Sequence, residues 1–178
     1  MKFSPYLVLI IIVIGLFLSC EHSNFRPADV PVEDTEKAFV KSNRYLVRSE
    51  SEDIADFVAR YKWPVETSGT GLRYWIEKEG IGPKAKYGDR VELDYQLKLL
   101  TGEVIRSSKS AGQLRFTVGK GGVEAGLEEG ILLLKKGSRA KFILPSHLAF
   151  GLLGDGDRIP SRSSLVYEVE VIDIHKNR

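Results

Sequence analysis

The chain has 178 residues, of which 43% are hydrophobic, with 26 Lys and Arg against 24 Asp and Glu and a single Cys. This length fits one ordinary domain with an appendage, or at most two small domains, and the apolar content excludes wholesale disorder. A formal charge of +2 provides no strong field for nucleic acid, and one Cys excludes both an internal disulfide and a multi-thiolate metal site.

Residues 1–19 have the pattern of a secretory signal. Lys2 precedes an apolar run over residues 6–18, which as a helix would be roughly 20 Å long, short of the ~30 Å hydrocarbon core of a bilayer. The ending Ser19-Cys20 resembles a bacterial lipobox, in which the Cys is acylated and becomes residue one. An uncleaved anchor with an incidental Cys is the alternative. Both interpretations predict export and a membrane tether, which places the protein in the bacterial cell envelope, facing the periplasm or the outer membrane.

The segment that follows Cys20 is predicted to be a tether and a helical arm. Residues 21–33 are polar, contain two prolines and lack periodicity, which is typical of a flexible tether. One helix is predicted over 34–47 and a stronger one over 50–62, capped by Ser49 with Glu52. The apolar residues of the second helix recur at helical spacing: Ile54, Phe57, Val58 and Tyr61. We expect this stripe to pack on the following domain or on a partner.

A change of hydrophobic period separates the tether and arm, residues 20–70, from a domain over 71–178. Alternating apolar residues predict about five half-buried strands. These strands begin near Leu72, Val91, Leu114, Ala140 and Leu165. A hairpin turn is predicted at Thr101-Gly102, and one short helix runs from Val123 to Leu134. The predicted fold class is α+β, a curved antiparallel β-sheet wrapped around one short α-helix.

Residue types needed for several chemistries are missing or scattered. The three histidines, His22, His147 and His175, stand apart, and none lies beside a nucleophile motif or in metal-ligand spacing. Residues 119–122 are glycine-rich and precede the predicted helix, but no Ser or Thr follows Lys120, so a tight turn is favoured over a phosphate loop. No cofactor or metal site is predicted.

The order of motifs from Val91 to Ile174 resembles the FKBP-type peptidyl-prolyl isomerases, the macrolide-binding immunophilin fold. The most specific stretch is Gly126-Leu127-Glu128-Glu129-Gly130 followed by Lys135-Lys136-Gly137-Ser138-Arg139-Ala140-Lys141. Other matching stretches are Ser107-Ser108, Phe116-Thr117-Val118-Gly119, Ala149-Phe150-Gly151, Ile159-Pro160 and Leu165-Val166-Tyr167-Glu168. With the signal, Cys20 and the arm, the chain resembles envelope lipoproteins of gliding bacteria that carry this domain.

The resemblance implies an isomerase that needs no nucleophile, metal or cofactor, because rotation of an X-Pro amide breaks no covalent bond. Its substrates would be proline-containing polypeptides. The implied pocket walls are Tyr95, Ile105, Leu114, Phe116, Val123, Leu127, Phe150, Ile159 and Tyr167, with Leu127 as the floor. The backbone N–H of Glu124 would donate to the substrate carbonyl, and the Tyr95 hydroxyl would lie at the rim.

Departures from the family pattern leave two functions open. Ile105-Arg106 stands where the family commonly has Phe-Asp, so a cation replaces a carboxylate at the cleft. Phe150 stands where Tyr is common, and Glu124 replaces an aliphatic residue. The first function is a tethered isomerase that assists the folding of exported proteins. The alternative is a catalytically weak binding or chaperone module that acts as an envelope adaptor. A monomer is predicted in either case.

Overall fold

The computed structural model describes residues 32–176 of the chain. The predicted signal, the predicted lipidation site Cys20 and most of the predicted tether therefore lie outside the described residues. Of the described residues, 43–176 belong to one compact unit and 32–42 to another. In the described part of the chain, no helix is both long enough and apolar enough to cross a membrane.

The larger unit is built on a seven-stranded antiparallel sheet. The strands are β1 (Glu66–Thr67), β2 (Arg73–Lys78), β3 (Arg90–Leu99), β4 (Val104–Ser107), β5 (Leu114–Thr117), β6 (Arg139–Leu144) and β7 (Leu165–His175). Their order in the sheet is β1-β2-β6-β7-β3-β4, with β5 also paired to β3. The helices are α1 (Val32–Tyr61), α2 (Ser108–Ala111) and α3 (Ala125–Ile131), with a 3₁₀ turn at Ser146–Leu148. The predicted α+β class and antiparallel sheet are confirmed.

The sheet buries the side chains that the alternating pattern placed on one face. In β3, Val91, Leu93, Tyr95 and Leu97 are buried, whereas the residues that alternate with them are partly exposed. Because successive side chains of a strand point to opposite faces, this pattern produces one apolar surface. The same surface includes Phe142 and Leu144 of β6, and together these residues form the main core.

Helix α3 lies close against the sheet because two of its residues are glycines. A Cβ atom on Gly126 would lie 2.6 Å from Leu144, and one on Gly130 would lie 2.7 Å from the Phe142 ring. The helix is shorter than the predicted 123–134. Glu124 has an extended backbone (φ −64°, ψ 142°) and serves as the N-cap, and the helix ends at Ile131.

Helix α1 is a single helix of 30 residues, not the two helices that the sequence analysis predicted. Ser49 lies inside it, and the helix begins at Val32, within the predicted tether. No Pro or Gly occurs between Val32 and Tyr61 to end a helix, and a Ser in a helix interior costs only a few tenths of a kcal/mol, roughly. Ile54 and Phe57 of α1 pack with Ile143 and Val166 in a second small core.

Both faces of the sheet are thus covered at β6 and β7. Phe142 belongs to the main core under α3, whereas its neighbour Ile143 belongs to the small core under α1. The second half of α1 is therefore part of the folded unit, which agrees with the expectation that its apolar stripe packs on the following domain.

Candidate functional site

A cleft of about 560 Å³ opens where the start of α3 approaches β3, β4 and the loop that follows the 3₁₀ turn. Seven of the predicted site residues line it: Tyr95, Arg106, Leu114, Val123, Glu124, Phe150 and Tyr167. Four lining residues were not predicted, and they are Gly122, Ala149, Asp155 and Asp157. The cleft therefore collects residues from six separate stretches of the chain.

The remaining predicted site residues lie in the main core and not on the cleft surface. Ile105, Phe116, Leu127 and Ile159 are each less than 9% exposed and belong to the same apolar cluster as Tyr95 and Tyr167. Leu127 has no exposed surface at all. Contact of these four residues with a substrate stays a prediction.

Two tyrosines and a carboxylate form one polar part of the cleft wall. The Tyr167 hydroxyl donates a hydrogen bond of 2.9 Å to Glu124 Oε2. Burial, reinforced by the nearby Glu124 carboxylate, raises the pKa of Tyr167 far above its ordinary value. Burial likewise raises the pKa of Tyr95, whose ring centroid lies 6.2 Å from that of Tyr167. Both phenols are therefore neutral hydrogen-bonding groups at physiological pH.

The backbone at Glu124 presents a donor to the cleft. Its carbonyl oxygen accepts from the N–H groups of Leu127 and Glu128, at 3.0 and 3.1 Å. Within residues 32–176, however, the Glu124 N–H donates to no other group of the chain. A backbone N–H without an internal partner needs water or a ligand, so this group can bind a carbonyl oxygen that enters the cleft.

The loop between the 3₁₀ turn and β7 forms the outer wall of the cleft. Asp155 Oδ1 accepts from the N–H groups of Asp157 and Ile159, at 3.0 and 2.7 Å. Arg158 donates to the carbonyl oxygens of Ile105 and Val104, at 2.7 and 2.9 Å, which attaches the loop to β4. In the sequence, the pattern Asp155-Gly156-Asp157 indicates this turn, since Asp side chains commonly accept a hydrogen bond from the backbone two residues on.

The titration of Asp155 yields a prediction about this loop. The backbone donors Ile159 and Asp157 hold the pKa of Asp155 below its ordinary value. A carboxyl with a lowered folded-state pKa stabilises the fold fully above about pH 4, its unfolded value, and loses this contribution as the pH falls through the lowered pKa. We expect the amide chemical shift of Ile159 to report this transition below pH 4.

The Asp155→Asn variant is the control for this titration. The amide oxygen of Asn still accepts from both backbone donors but does not titrate, so the acid transition at Ile159 should disappear. An unchanged transition in Asp155→Asn, or a wild-type transition at or above the ordinary Asp value, would contradict the assignment.

The cleft lining combines apolar, aromatic and charged side chains. Its lining residues include no His, Cys or Ser. In the described part of the chain, no three His, Cys, Asp or Glu side chains are placed to hold a metal ion. The arrangement offers aromatic and aliphatic side chains, two phenol hydroxyls, one backbone donor and the charged side chains of Arg106, Asp155 and Asp157, a combination that suits the binding of a peptide segment.

An antiparallel sheet packed on a short helix, with an aromatic cleft at the start of that helix, defines an immunophilin-like class of protein. A family model described as FKBP-type peptidyl-prolyl cis-trans isomerase matches residues 82–172. The FK506-binding protein 1A of Neurospora crassa is 37% identical over 106 residues, which are 58% of this chain and 88% of that protein. The chain belongs to the FKBP-type peptidyl-prolyl cis-trans isomerase family.

Bacterial relatives of greater length also match. A probable FkpA isomerase of Neisseria meningitidis is 38% identical over 111 residues, or 62% of this chain, and the chain spans only 40% of that protein's length. The crystal structure of FkpA from Escherichia coli superposes with a TM-score of 0.61 at 28% identity, covering 98% of this chain and 84% of that one. The predicted family is therefore confirmed in both sequence and fold.

Proposed function

We propose that the protein is a peptidyl-prolyl cis-trans isomerase that acts on proline-containing polypeptides and assists the folding of exported or envelope proteins. One observation carries the proposal. The cleft brings together Tyr95, Val123, Phe150, Tyr167 and the N–H of Glu124, which has no partner among the described residues. Membership of the isomerase family supports the same activity.

The free energy that the site must supply to accelerate the reaction is modest. Rotation about a peptide bond has a barrier of about 18–20 kcal/mol because resonance gives the C–N bond double-bond character. A ten-thousandfold acceleration requires the site to bind the twisted amide more tightly than the planar one by about 5.4 kcal/mol. The aromatic and aliphatic side chains of the cleft would remove water from the polar planar amide, and a backbone donor would hold the substrate carbonyl while the C–N bond turns.

Several cleft residues have a proposed role in this reaction. The rings of Phe150 and Tyr167 with Val123 would hold the proline ring, over a floor supported from below by Leu127. The Glu124 N–H would hold the substrate carbonyl. Arg106 is exposed at the mouth, where it would meet the residues that flank the proline. Phe150 offers no hydroxyl to the bound peptide, so binding would depend more on apolar contact.

Peptide kinetics test the proposed activity. Purified chain should accelerate the isomerisation of X-Pro peptides well beyond the uncatalysed rate, whose time constant is tens to hundreds of seconds. Val123→Glu, which puts a charge in the cleft, should abolish this acceleration. The matched control is Ile81→Glu, because Ile81 is 79% exposed and does not line the cleft. A folded wild-type protein that leaves the rate unchanged would overturn the proposal.

We also propose a bacterial envelope location with acyl chains on Cys20 as the anchor, similar to the isomerase lipoproteins of gliding bacteria, and a monomeric state. The support is the signal pattern of residues 1–19 and the lipobox-like Ser19-Cys20. Each buried CH₂ of an acyl chain contributes about 0.8 kcal/mol to membrane binding, so multiple acylation gives a stable anchor.

A single substitution tests the anchor. Cys20→Ala should move most of the protein from the membrane fraction to the soluble fraction of the envelope, because no acylation site remains. Ser23→Ala, which changes a neighbouring residue outside the motif, should leave the protein on membranes. Retention of the Cys20→Ala variant on membranes would contradict lipidation and favour an uncleaved anchor. Fractionation with immunodetection makes the measurement.

A further inference from the structure

A glutamate of α1 binds both ends of the loop that forms the outer wall of the cleft. The N–H of Ser146 donates to Glu50 Oε1 at 2.6 Å, and its hydroxyl donates to Oε2 at 3.0 Å. The hydroxyl of Ser164 donates to Glu50 Oε1 at 2.6 Å. Residues separated by 96 and 114 positions in sequence thus meet on one carboxylate.

The two serines define the loop from residue 146 to residue 164, which we call the rim loop. It carries four cleft-lining residues, and these are Ala149, Phe150, Asp155 and Asp157. Ser146 and Ser164 are 8% and 6% exposed, so three buried or partly buried donors depend on one carboxylate. A buried donor without an acceptor destabilises the fold by the free energy of the hydration that it has lost. The Glu50 carboxylate is therefore important for the position of both serines.

The backbone carries the position of the serines into the rim loop. The N–H of Gly151 donates to the Ser146 carbonyl oxygen at 2.8 Å, and the N–H of Arg162 donates to the Gly151 carbonyl oxygen at 3.0 Å. Gly151 follows Phe150, whose ring lines the cleft. A shift of Ser146 would therefore move the backbone beside Phe150.

We infer that Glu50 is a positioning residue for the isomerase site: it holds the rim loop, and through it Phe150, in the geometry that binds substrate. This inference rests on the proposed isomerase function. The attachment of α1 to the sheet does not depend on the Glu50 carboxylate alone, because Ile54 and Phe57 of this helix pack on Ile143 and Val166. Loss of the Glu50 carboxylate should therefore loosen the rim loop while the helix remains docked.

The test compares Glu50 variants by peptide kinetics and by amide hydrogen exchange of the rim loop. In Glu50→Ala, kcat/KM should fall by about tenfold, as for other losses of support around a binding site, and the Ser146 amide should exchange at least about tenfold faster. Glu50→Gln keeps an oxygen acceptor for two of the three donors, so it should restore most of both properties.

Glu52→Ala is the matched control on the same helix. Glu52 is exposed, and its carboxylate pairs with Arg48 at 2.8 Å and not with the rim loop. It should therefore leave kcat/KM and loop exchange at wild-type values. If Glu50→Ala does not fold, Ser164→Ala, which removes one of the three donors, should still raise exchange across the rim loop and lower kcat/KM by a few-fold.

Two outcomes overturn the inference. One is a folded Glu50→Ala protein whose rim loop exchanges like the wild type. The other is a loss of activity in Glu50→Ala that equals its unfolded fraction, with no excess exchange in the loop. A wild-type chain with no isomerase activity would refute the proposed function instead, and the exchange measurement would still decide whether Glu50 holds the loop.

Discussion

Glu124→Pro should lower kcat/KM for X-Pro peptides by at least about tenfold while the protein stays folded, because it deletes a single donor from the cleft. Glu124 has a φ of −64°, which proline also adopts, and it precedes the first residue of α3. Its N–H has no partner within residues 32–176, so no internal hydrogen bond is lost. The substitution therefore removes the proposed contact to the substrate carbonyl.

Glu124→Ala is the reference for this measurement, since it also loses the carboxylate but keeps the backbone N–H. Both variants leave the Tyr167 hydroxyl without its acceptor, so a difference in kcat/KM between them isolates the N–H. Circular dichroism and thermal unfolding should show similar folding of the two. Equal activity of Glu124→Pro and Glu124→Ala would exclude the backbone donor from the reaction.

Leu127→Ala should lower the free energy of unfolding by about 2–5 kcal/mol, the range for removing a fully buried leucine side chain. Leu127 has no exposed surface and lies on α3 within the main core, next to the cleft. The cavity would also weaken support under the cleft, so kcat/KM should fall together with stability. Urea unfolding measures the first effect and peptide kinetics the second.

Leu153→Ala is the matched control for the stability effect. The same side chain is removed, but Leu153 is 87% exposed, so the expected change is within about 0.5 kcal/mol. A loss below about 1 kcal/mol in Leu127→Ala would show that the core around α3 closes over the missing side chain. That result would argue against Leu127 as a rigid support for the cleft.

The strands were the most predictable part of this fold. In β3 the alternation of Val91, Leu93 and Leu97 with polar residues follows directly from the geometry of a strand with one buried face. The turn at Gly102 was equally readable, since its φ of 92° favours glycine. Helix α1 was predicted as two helices because Ser49 with Glu52 has the pattern of a helix N-cap. The helix continues through Ser49 because no Pro or Gly stands between Val32 and Tyr61 to end it.

The site was partly predictable through the ordered motifs of the family. They identified Tyr95, Phe150 and Tyr167, which line the cleft, and also Phe116 and Ile159, which lie in the core. Periodicity marks a side chain as apolar and inward, but it does not separate the wall of a cleft from the core behind it. That difference depends on which neighbouring elements cover each side chain.

The sequence by itself determined a near-neutral, single-Cys chain with an α+β isomerase-family domain, because strand alternation and ordered motifs are local or colinear patterns. The tertiary structure decided the contacts between distant segments. Glu50 contacts Ser146 and Ser164 because α1 packs on the sheet. Tyr167 contacts Glu124 because the start of α3 lies beside β7. Hydrogen bonds of this kind are specified by position in space, and no spacing along the chain encodes them.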